Sequence, residues 1–348
     1  MIALALSLAL LLAVPASACT TFCYLDGTRV LFGRNYDFEH GTGVVLLNPR
    51  GRVKTAVARV NPATWQARFG SVTFNQFGQD QPMGGVNEKG LVVELMWLDG
   101  TTYPMPDTRP VVGVLDWIQY ALDRFETVAE MLQGIEAIRI AGRTPLHFLV
   151  ADRTGDAATV EFLDGTLVSH RGAAFRARAL ANSRYDFSLD YLDRRERQGD
   201  SAPPYTRGSL DRFARAAELV ARAAAEPAAN DGDAVARAFA TLDAVKQPHY
   251  TRWQIVYDLT AMRVSWHTEH NAARRHLDVS GLDFGCGPVR ALAIDAGDGP
   301  VAAAFAPHTI ADNLALLRTS FAKTSFLGGV PATDVERLAR APERTRCE

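Results

Sequence analysis

Cysteine is rare in this chain of 348 residues: four in total, Cys19, Cys23, Cys286 and Cys347. Cys286 has no partner at CxxC spacing, which excludes redox chemistry of that kind. Lysine is far outnumbered by arginine, no block of like charge stands out, and the formal net charge is -2. Such a chain offers no footing for a nucleic acid or another polyanion. The glycines build no phosphate loop, because "GTGVVLL" (41–47) lacks both the lysine and the following helix. In "HTEH", His267 and His270 would fall on opposite faces of a strand, with no cysteine or third histidine close by. No metal and no other cofactor is therefore expected. The apolar run at the start falls short of the roughly 20 residues that cross a bilayer, so no stable membrane insertion is expected. Internal repeats, low-complexity tracts and an inter-domain linker are also missing.

What is present begins with that opening run. "MIALALSLALLLAV" is almost wholly apolar and is followed by Pro15 and Ala16-Ser17-Ala18, the small-residue pattern of a secretory cleavage site. Residues 1–18 are expected to be a signal peptide, although no Lys or Arg precedes the apolar run. Residues 19–348 are expected to form one exported domain, periplasmic or secreted. The cut would leave Cys19 at the new N-terminus. "ASAC" also resembles the site at which bacterial lipoproteins are lipidated on cysteine, a competing reading. With Cys19 reserved, at most one disulfide can form. Cys286, in the "FGCGP" turn, and Cys347, in the tail, are the favoured pair, though no spacing rule fixes it.

With 47% hydrophobic residues the chain can fill a substantial core. Strands are predicted at "TTFCYL", "VLFGRNYDF" and "VVLLNP", the first two joined as a hairpin through an Asp-Gly turn. "GSVTFNQF" and "GLVVELMWL" continue the pattern around the "VNEKG" turn. Two helices follow, "VVGVLDWIQYALDRF" and "TVAEMLQGIEAI", the second opening with Thr127 as N-cap and Glu130 three residues on. Strands return at "LHFLVAD", "AATVEFLDG" and "TLVSHRG", then helices at "SLDRFARAAELVARAAAE" and "GDAVARAFATLDAV". The end reads as strand, with "RWQIVYDLTAMRVSWHT" a long hairpin and "VRALAID" a further strand. Residues 196–207 are the most loop-like insert. Blocks of strands and helices in this order predict sheets layered between helices.

An N-terminal cysteine carries nucleophile and base on one residue. The thiol, of reference pKa about 8.5, can pass its proton to an α-amine of reference pKa about 7.7–8.0. In the predicted hairpin, "GRNYDF" (33–38) brings Arg34 and Asp37 back beside the chain start. A guanidinium there would favour the thiolate, each pKa unit being worth about 1.4 kcal/mol, and a carboxylate would hold the ammonium.

At these residues the sequence resembles the choloylglycine hydrolase and penicillin V acylase family of N-terminal-nucleophile hydrolases. The resemblance runs through "CTTF…GRNYD", "GGVNEKGLVVELMWL" (84–98), "LANSRYDF" (180–187) and "SLDRFARAA" (209–217). It implies an α+β fold, a four-layered αββα sandwich. It also implies that Cys19 is the nucleophile, Arg34 lies beside the thiolate and Asp37 holds the α-amine. Asn182 would donate to the oxyanion or position the scissile amide, and Arg212 would complete the charged network. Phe38 and Trp97 are the expected substrate-binding residues.

Two departures stand out. Where the bile-salt branch has an oxyanion-hole asparagine, ten residues after the Asn of the "NEKG" turn, this chain has Trp97. Losing such a donor typically costs about 2.7–4 kcal/mol, so another group must serve. The stretch from Asn182 to Arg212 is also shorter than in the bile-salt enzymes, so their assembly does not carry over. The implied activity is hydrolysis of linear amide C–N bonds in N-acylated small molecules, through a thioester. Trp97 favours a penicillin V-type or fatty-acyl group, such as that of N-acyl-homoserine lactones. The alternatives are a conjugated bile-salt hydrolase, or a Cys19-lipidated binding module without catalysis.

Overall fold

The computed structural model describes residues 19–200 and 208–348. The expected leader lies outside the described residues, as does 201–207 of the expected loop. From Cys19 the chain enters β1 (Thr20–Asp26), turns, and returns as β2 (Arg29–Asp37). The turn needs Gly27, whose φ of +63° lies in the left-handed region. Thr20 stands opposite Asn35 and Thr21 opposite Arg34: the predicted hairpin.

Then come β3 (Val44–Asn48), β4 (Ser71–Asn75), β5 (Pro82–Asn87) and β6 (Val92–Trp97). Helices α1 (Asp116–Arg124) and α2 (Val128–Gly134) follow, and then β7 (Leu146–Ala151), β8 (Ala157–Leu163) and β9 (Thr166–Arg171). A second helical block holds α3 (Tyr185–Gln198), α4 (Ser209–Ala225) and α5 (Asp231–Ala244). The chain ends through β10 (Thr251–Asp258), β11 (Arg263–Thr268), β12 (Arg275–Asp278), α6 (Ile310–Lys323) and α7 (Ala332–Ala339), with short edge strands between them.

The strands form two large sheets. One runs Ala179–Leu180, β1, β2, β10, β11, β12, Gly299–Pro300; the other runs β9, β8, β7, β6, β5, β4, β3, Arg290–Ala293, Ala306–Pro307. They pack face to face, with Phe74 of β4 edge-on to Trp266 of β11 at 5.6 Å and Tyr257 of β10 at 6.3 Å. Helices α4 and α5 cover the outer face of the first sheet and α1 that of the second. On α4 the buried residues Phe213, Ala216, Ala217, Val220 and Ala223 recur at three-and-four spacing, the stripe a sheet-covering helix needs. The result is the expected αββα sandwich.

Local signals held where the chain pays attention to its own backbone. Thr127 caps α2 by accepting from the Glu130 N–H at 3.1 Å, while the Glu130 carboxylate takes the Glu126 N–H. In the "VNEKG" turn the Asn87 side chain accepts from Lys89 and Leu91 N–H and donates to the Leu122 and Phe125 carbonyls, tying the turn to α1. Cys286 and Cys347 form the disulfide. One reading is corrected: the stretch 196–198 is the end of α3, closed by Gly199 at φ +70°, not loop. The long hairpin read at 252–268 and the strand read at 289–295 are present as β10–β11 and Arg290–Ala293, while α6 and α7 beyond them were not read.

Candidate active site

The site grows from the end of the β1–β2 hairpin. Side chains alternate across β2, so Arg34 and Tyr36 point between the sheets while Asn35 points to the helical side, where it donates to the Leu242 carbonyl of α5. Arg34 donates to the Met83 carbonyl at 2.6 Å and forms a fully buried ion pair with Glu94 of β6. Tyr257 donates to the other Glu94 oxygen at 2.5 Å. Glu94 was absent from the sequence reading. The signal was a single carboxylate inside an otherwise apolar strand, "LVVELMW", since an acid is rarely fully buried without a partner.

Cys19 is 2% exposed. Its thiol donates to the Asp37 carbonyl at 3.8 Å. Burial pushes the thiol pKa up, and the neighbouring Arg34 guanidinium only partly offsets this, with Asp37 adding to the rise. Arg34 favours the thiolate, as expected, but burial outweighs it, so the thiol needs a base.

Asp37 ends β2 and stands opposite Thr251 of β10. Its Oδ1 accepts from the Thr251 hydroxyl at 2.5 Å, while Oδ2 is buried without a partner. Burial raises this carboxyl to about 7 against the pull of Arg212, Thr251, Arg34 and Arg252. A buried, half-satisfied carboxylate beside Cys19 has room for one more donor.

Arg212, in the first turn of α4, closes the other side. Its Nη1 donates to the Cys19 carbonyl at 2.7 Å and to Thr20 Oγ1 at 2.5 Å, and its Nη2 to Asn182 Oδ1 at 2.9 Å. Asn182 Nδ2 donates to the Trp97 carbonyl at 2.9 Å, which leaves one of its two amide hydrogens for another acceptor. The Asn182 backbone N–H is held by the Ser209 hydroxyl at 2.9 Å, again from α4. Just before it, the Ala181 carbonyl meets the buried His147 ring at 2.7 Å, whose other nitrogen lies 3.1 Å from Glu161. Arg34, Asp37, Asn182 and Arg212, the four charged or polar partners expected for Cys19, therefore meet around it. Glu94, Tyr257, Thr251, Ser209 and His147 complete the shell and come from strands and helices distant in sequence.

A cavity of about 630 Å³ opens from Cys19 and Asp37. Its walls are mostly apolar, with Phe38, Phe77, Met83, Leu95, Trp97 and Leu146 on the near side. Phe38 stacks on Tyr36 at 5.6 Å, and the indole N–H of Trp97, also in the lining, donates to Asp99 at 2.5 Å. Polar side chains interrupt the lining at several places, among them Gln81, Asp116, Arg139 and Thr144. Asp116, which burial raises to about 6, accepts from the Gly113 and Val57 N–H groups and from Gln81, bracing two wall segments against each other. Among the described residues no group of His, Cys, Asp and Glu side chains is placed to hold a metal. His267 instead packs its ring against Phe239 of α5 at 5.3 Å.

Comparison with known proteins bears on family and fold. The family described as linear amide C–N hydrolases, choloylglycine hydrolase family, matches residues 19–274. Penicillin V acylase of Pectobacterium atrosepticum is 30% identical over 228 residues, 58% of this chain and 60% of that protein, so the alignment spans less than two thirds of the relative. The solved structure of penicillin V acylase from Agrobacterium tumefaciens superposes with a TM-score of 0.74 at 27% identity, over 84% of this chain and 98% of that one. A variant of conjugated bile acid hydrolase from Clostridium perfringens shares the fold, with a TM-score of 0.66 at 16% identity over 80% of this chain and 98% of that one. The chain belongs to the choloylglycine hydrolase family of linear amide C–N hydrolases.

Proposed function

We propose that the protein is exported, loses residues 1–18, and hydrolyses the amide bond of small molecules carrying an apolar N-acyl group, with Cys19 as nucleophile. The observation that carries this reading is the unpartnered Asp37 Oδ2 beside Cys19 at the head of an apolar cavity. Cleavage would create an α-ammonium where that oxygen lacks a donor. The family match, which starts at residue 19, agrees with it.

The chemistry follows from the side chains. Burial keeps the thiol protonated, so the neutral α-amine removes its proton, with Asp37 orienting the nitrogen and Arg34 favouring the thiolate. Sulfur attacks the amide carbonyl and the electron pair moves to oxygen. Asn182, whose carbonyl is locked by Arg212, offers its remaining amide hydrogen to that oxyanion. Collapse breaks the C–N bond, the α-ammonium protonates the leaving amine, and a thioester stays on Cys19. Water, deprotonated by the same amine, then releases the carboxylic acid. Arg212 also grips the Cys19 carbonyl and keeps the nucleophile in register.

The aromatic and aliphatic lining, Phe38 and Trp97 among it, supports a phenoxyacetyl or fatty-acyl group. The penicillin V acylases among its relatives point the same way. Cys19→Ala tests the core of the reading. Penicillin V, long-chain N-acyl-homoserine lactones and glycocholate, offered at equal concentration, are expected to be cleaved by the wild type in that order of preference over the bile salt. The variant should lose at least about 10⁴-fold in kcat, the scale on which removal of a nucleophile acts. Retained hydrolysis in the variant would overturn the mechanism. Intact mass of the exported chain should begin at unmodified Cys19, whereas a lipid increment there would block the amine and leave only a tethered binding module.

A further inference from the structure

We infer that the helical arm 310–339, which lies beyond the family match, is the chain-length selector of this cavity, and that Phe326 on it reads the distal part of a long straight-chain acyl group. The inference rests on the acyl-amide reading of the cavity. The near wall comes from residues 19–146, but the far wall is Phe321, Phe326, Leu327 and Leu338, every one of them on the arm. The family match ends at residue 274. The core of the site is thus a family property, whereas this wall is supplied by the segment that follows it.

Phe326 has an unusual position. It is 47% exposed, yet its ring lies edge-on to Trp97 at 5.9 Å and to Phe38 at 6.4 Å. Those two rings belong to opposite sheets, so Phe326 bridges the cavity from above. The turn that carries it is fastened rather than loose. The Ser325 N–H and hydroxyl both donate to the Glu39 carboxylate at 2.7 Å, Thr324 meets His40 at 3.2 Å, and Lys323 donates to the Thr42 hydroxyl at 3.1 Å. Glu39, His40 and Thr42 continue directly from Asp37 and Phe38. The arm is therefore set in register with the strand that carries the chemistry, and a change in it alters the pocket without touching Cys19, Asp37 or Arg212.

What such a wall recognises follows from its composition. It offers ring faces and branched alkyl groups and no hydrogen-bonding side chain, so it can favour one acyl group over another only through apolar area removed from water. Each methylene that reaches it adds to binding, and a chain too short to reach it gains nothing. A short acyl group would be held by Phe38, Met83 and Leu95 alone, and a long one would also contact Phe326 and Leu338.

The test is Phe326→Ala, with Leu338→Ala as a second, independent variant, assayed on N-butanoyl, N-octanoyl and N-dodecanoyl homoserine lactones. For the wild type, kcat/KM should rise with chain length. Either variant should lower it about tenfold or more for the dodecanoyl substrate, through KM, and change it less than twofold for the butanoyl one. An equal loss at every chain length, no loss at any, or a wild type indifferent to length overturns the inference. Folding of each variant is checked by its thermal melt. Calorimetric titration of dodecanoate against butyrate reads the wall without turnover. If nothing is hydrolysed but dodecanoate binds more tightly and loses that advantage in Phe326→Ala, the hydrolase reading fails while the wall stands. If hydrolysis proceeds and the two acids bind alike, the reverse holds.

Discussion

Of the atoms around Cys19, those of Asp37 carry the clearest electrostatic signal. The carboxyl is raised to about 7, chiefly by burial, and one oxygen has no donor. A carboxyl with a folded pKa above its unfolded value, near 3.9, binds more protons in the native state between those two values. Stability therefore falls as pH rises from about 4 to about 7, by at most about 1.4 kcal/mol per pH unit for one such group, and then levels off. Glu94, also raised to about 7 by burial, adds a slope of the same sign. A chain beginning at Cys19 would place an ammonium against Asp37 and pull its pKa down, which removes that share and leaves the Glu94 share. Thermal melts from pH 4 to 8 should therefore show a steeper loss for the chain with residues 1–18 attached than for the chain starting at Cys19; equal slopes would sink the assignment of Asp37. Cys19, Arg34 and Asp37 were legible in the sequence because one hairpin brings them together. Thr251 was not, since it reaches Asp37 only through the pairing of β10 with β2, and no local motif records a partner 214 residues away.

Strand pairing also explains a glycine that the sequence shows without a reason. Gly84 of β5 stands directly opposite Glu94 of β6. A Cβ at Gly84 would lie 1.8 Å from Glu94 Oε2, so the hydrogen side chain makes the room in which the carboxylate meets Arg34. Gly84→Ala must push that carboxylate aside and leave the guanidinium buried without its partner. Breaking a buried pair in this way costs about 3–5 kcal/mol, readable in urea denaturation, and should lower kcat with it. Shortening the acid with Glu94→Asp in the same background should restore part of both; an alanine at 84 with wild-type stability would refute the packing argument. Which elements the sequence revealed follows the same physics. α4 was plain because its buried stripe is apolar. α3 was missed because, of its fourteen residues, only Tyr185 and Ser188 are buried, so no apolar period marks it. α6 buries Asn313 and Ser320 together with two leucines, and α7 has eight residues; neither leaves a clear stripe, although Thr309 and Asp312 form a capping box that a local reading could have used.

Across the molecule, the two sheets and their helices would close without the C-terminal arm, and a covalent link keeps that arm in place. Cys286 and Cys347 are 61 residues apart in sequence and bracket both α6 and α7. Cys347 also pairs with Arg52 in a small sheet at the edge of the molecule. Closing a loop of that length removes chain entropy worth about 4 kcal/mol from the unfolded state. The link adds to the hydrogen bonds that Asn313, Lys323, Thr324 and Ser325 make with the body, whereas the Arg59–Asp334 ion pair across the same boundary is exposed and such a pair contributes less than about 1 kcal/mol. Cys19 and Cys23 are buried as free thiols, while Cys286 and Cys347 are joined. Replacing both Cys286 and Cys347 by serine should therefore lower the thermal midpoint by several degrees, and dithiothreitol should produce the same fall in the wild type and none in the double variant. Because the arm carries Phe326, the loss in kcat/KM should be concentrated on long acyl groups and be small on short ones. A double variant as stable as the wild type would mean that the core alone holds the arm, and a uniform loss across acyl lengths would mean that the link supports the whole sandwich rather than the wall of its cavity.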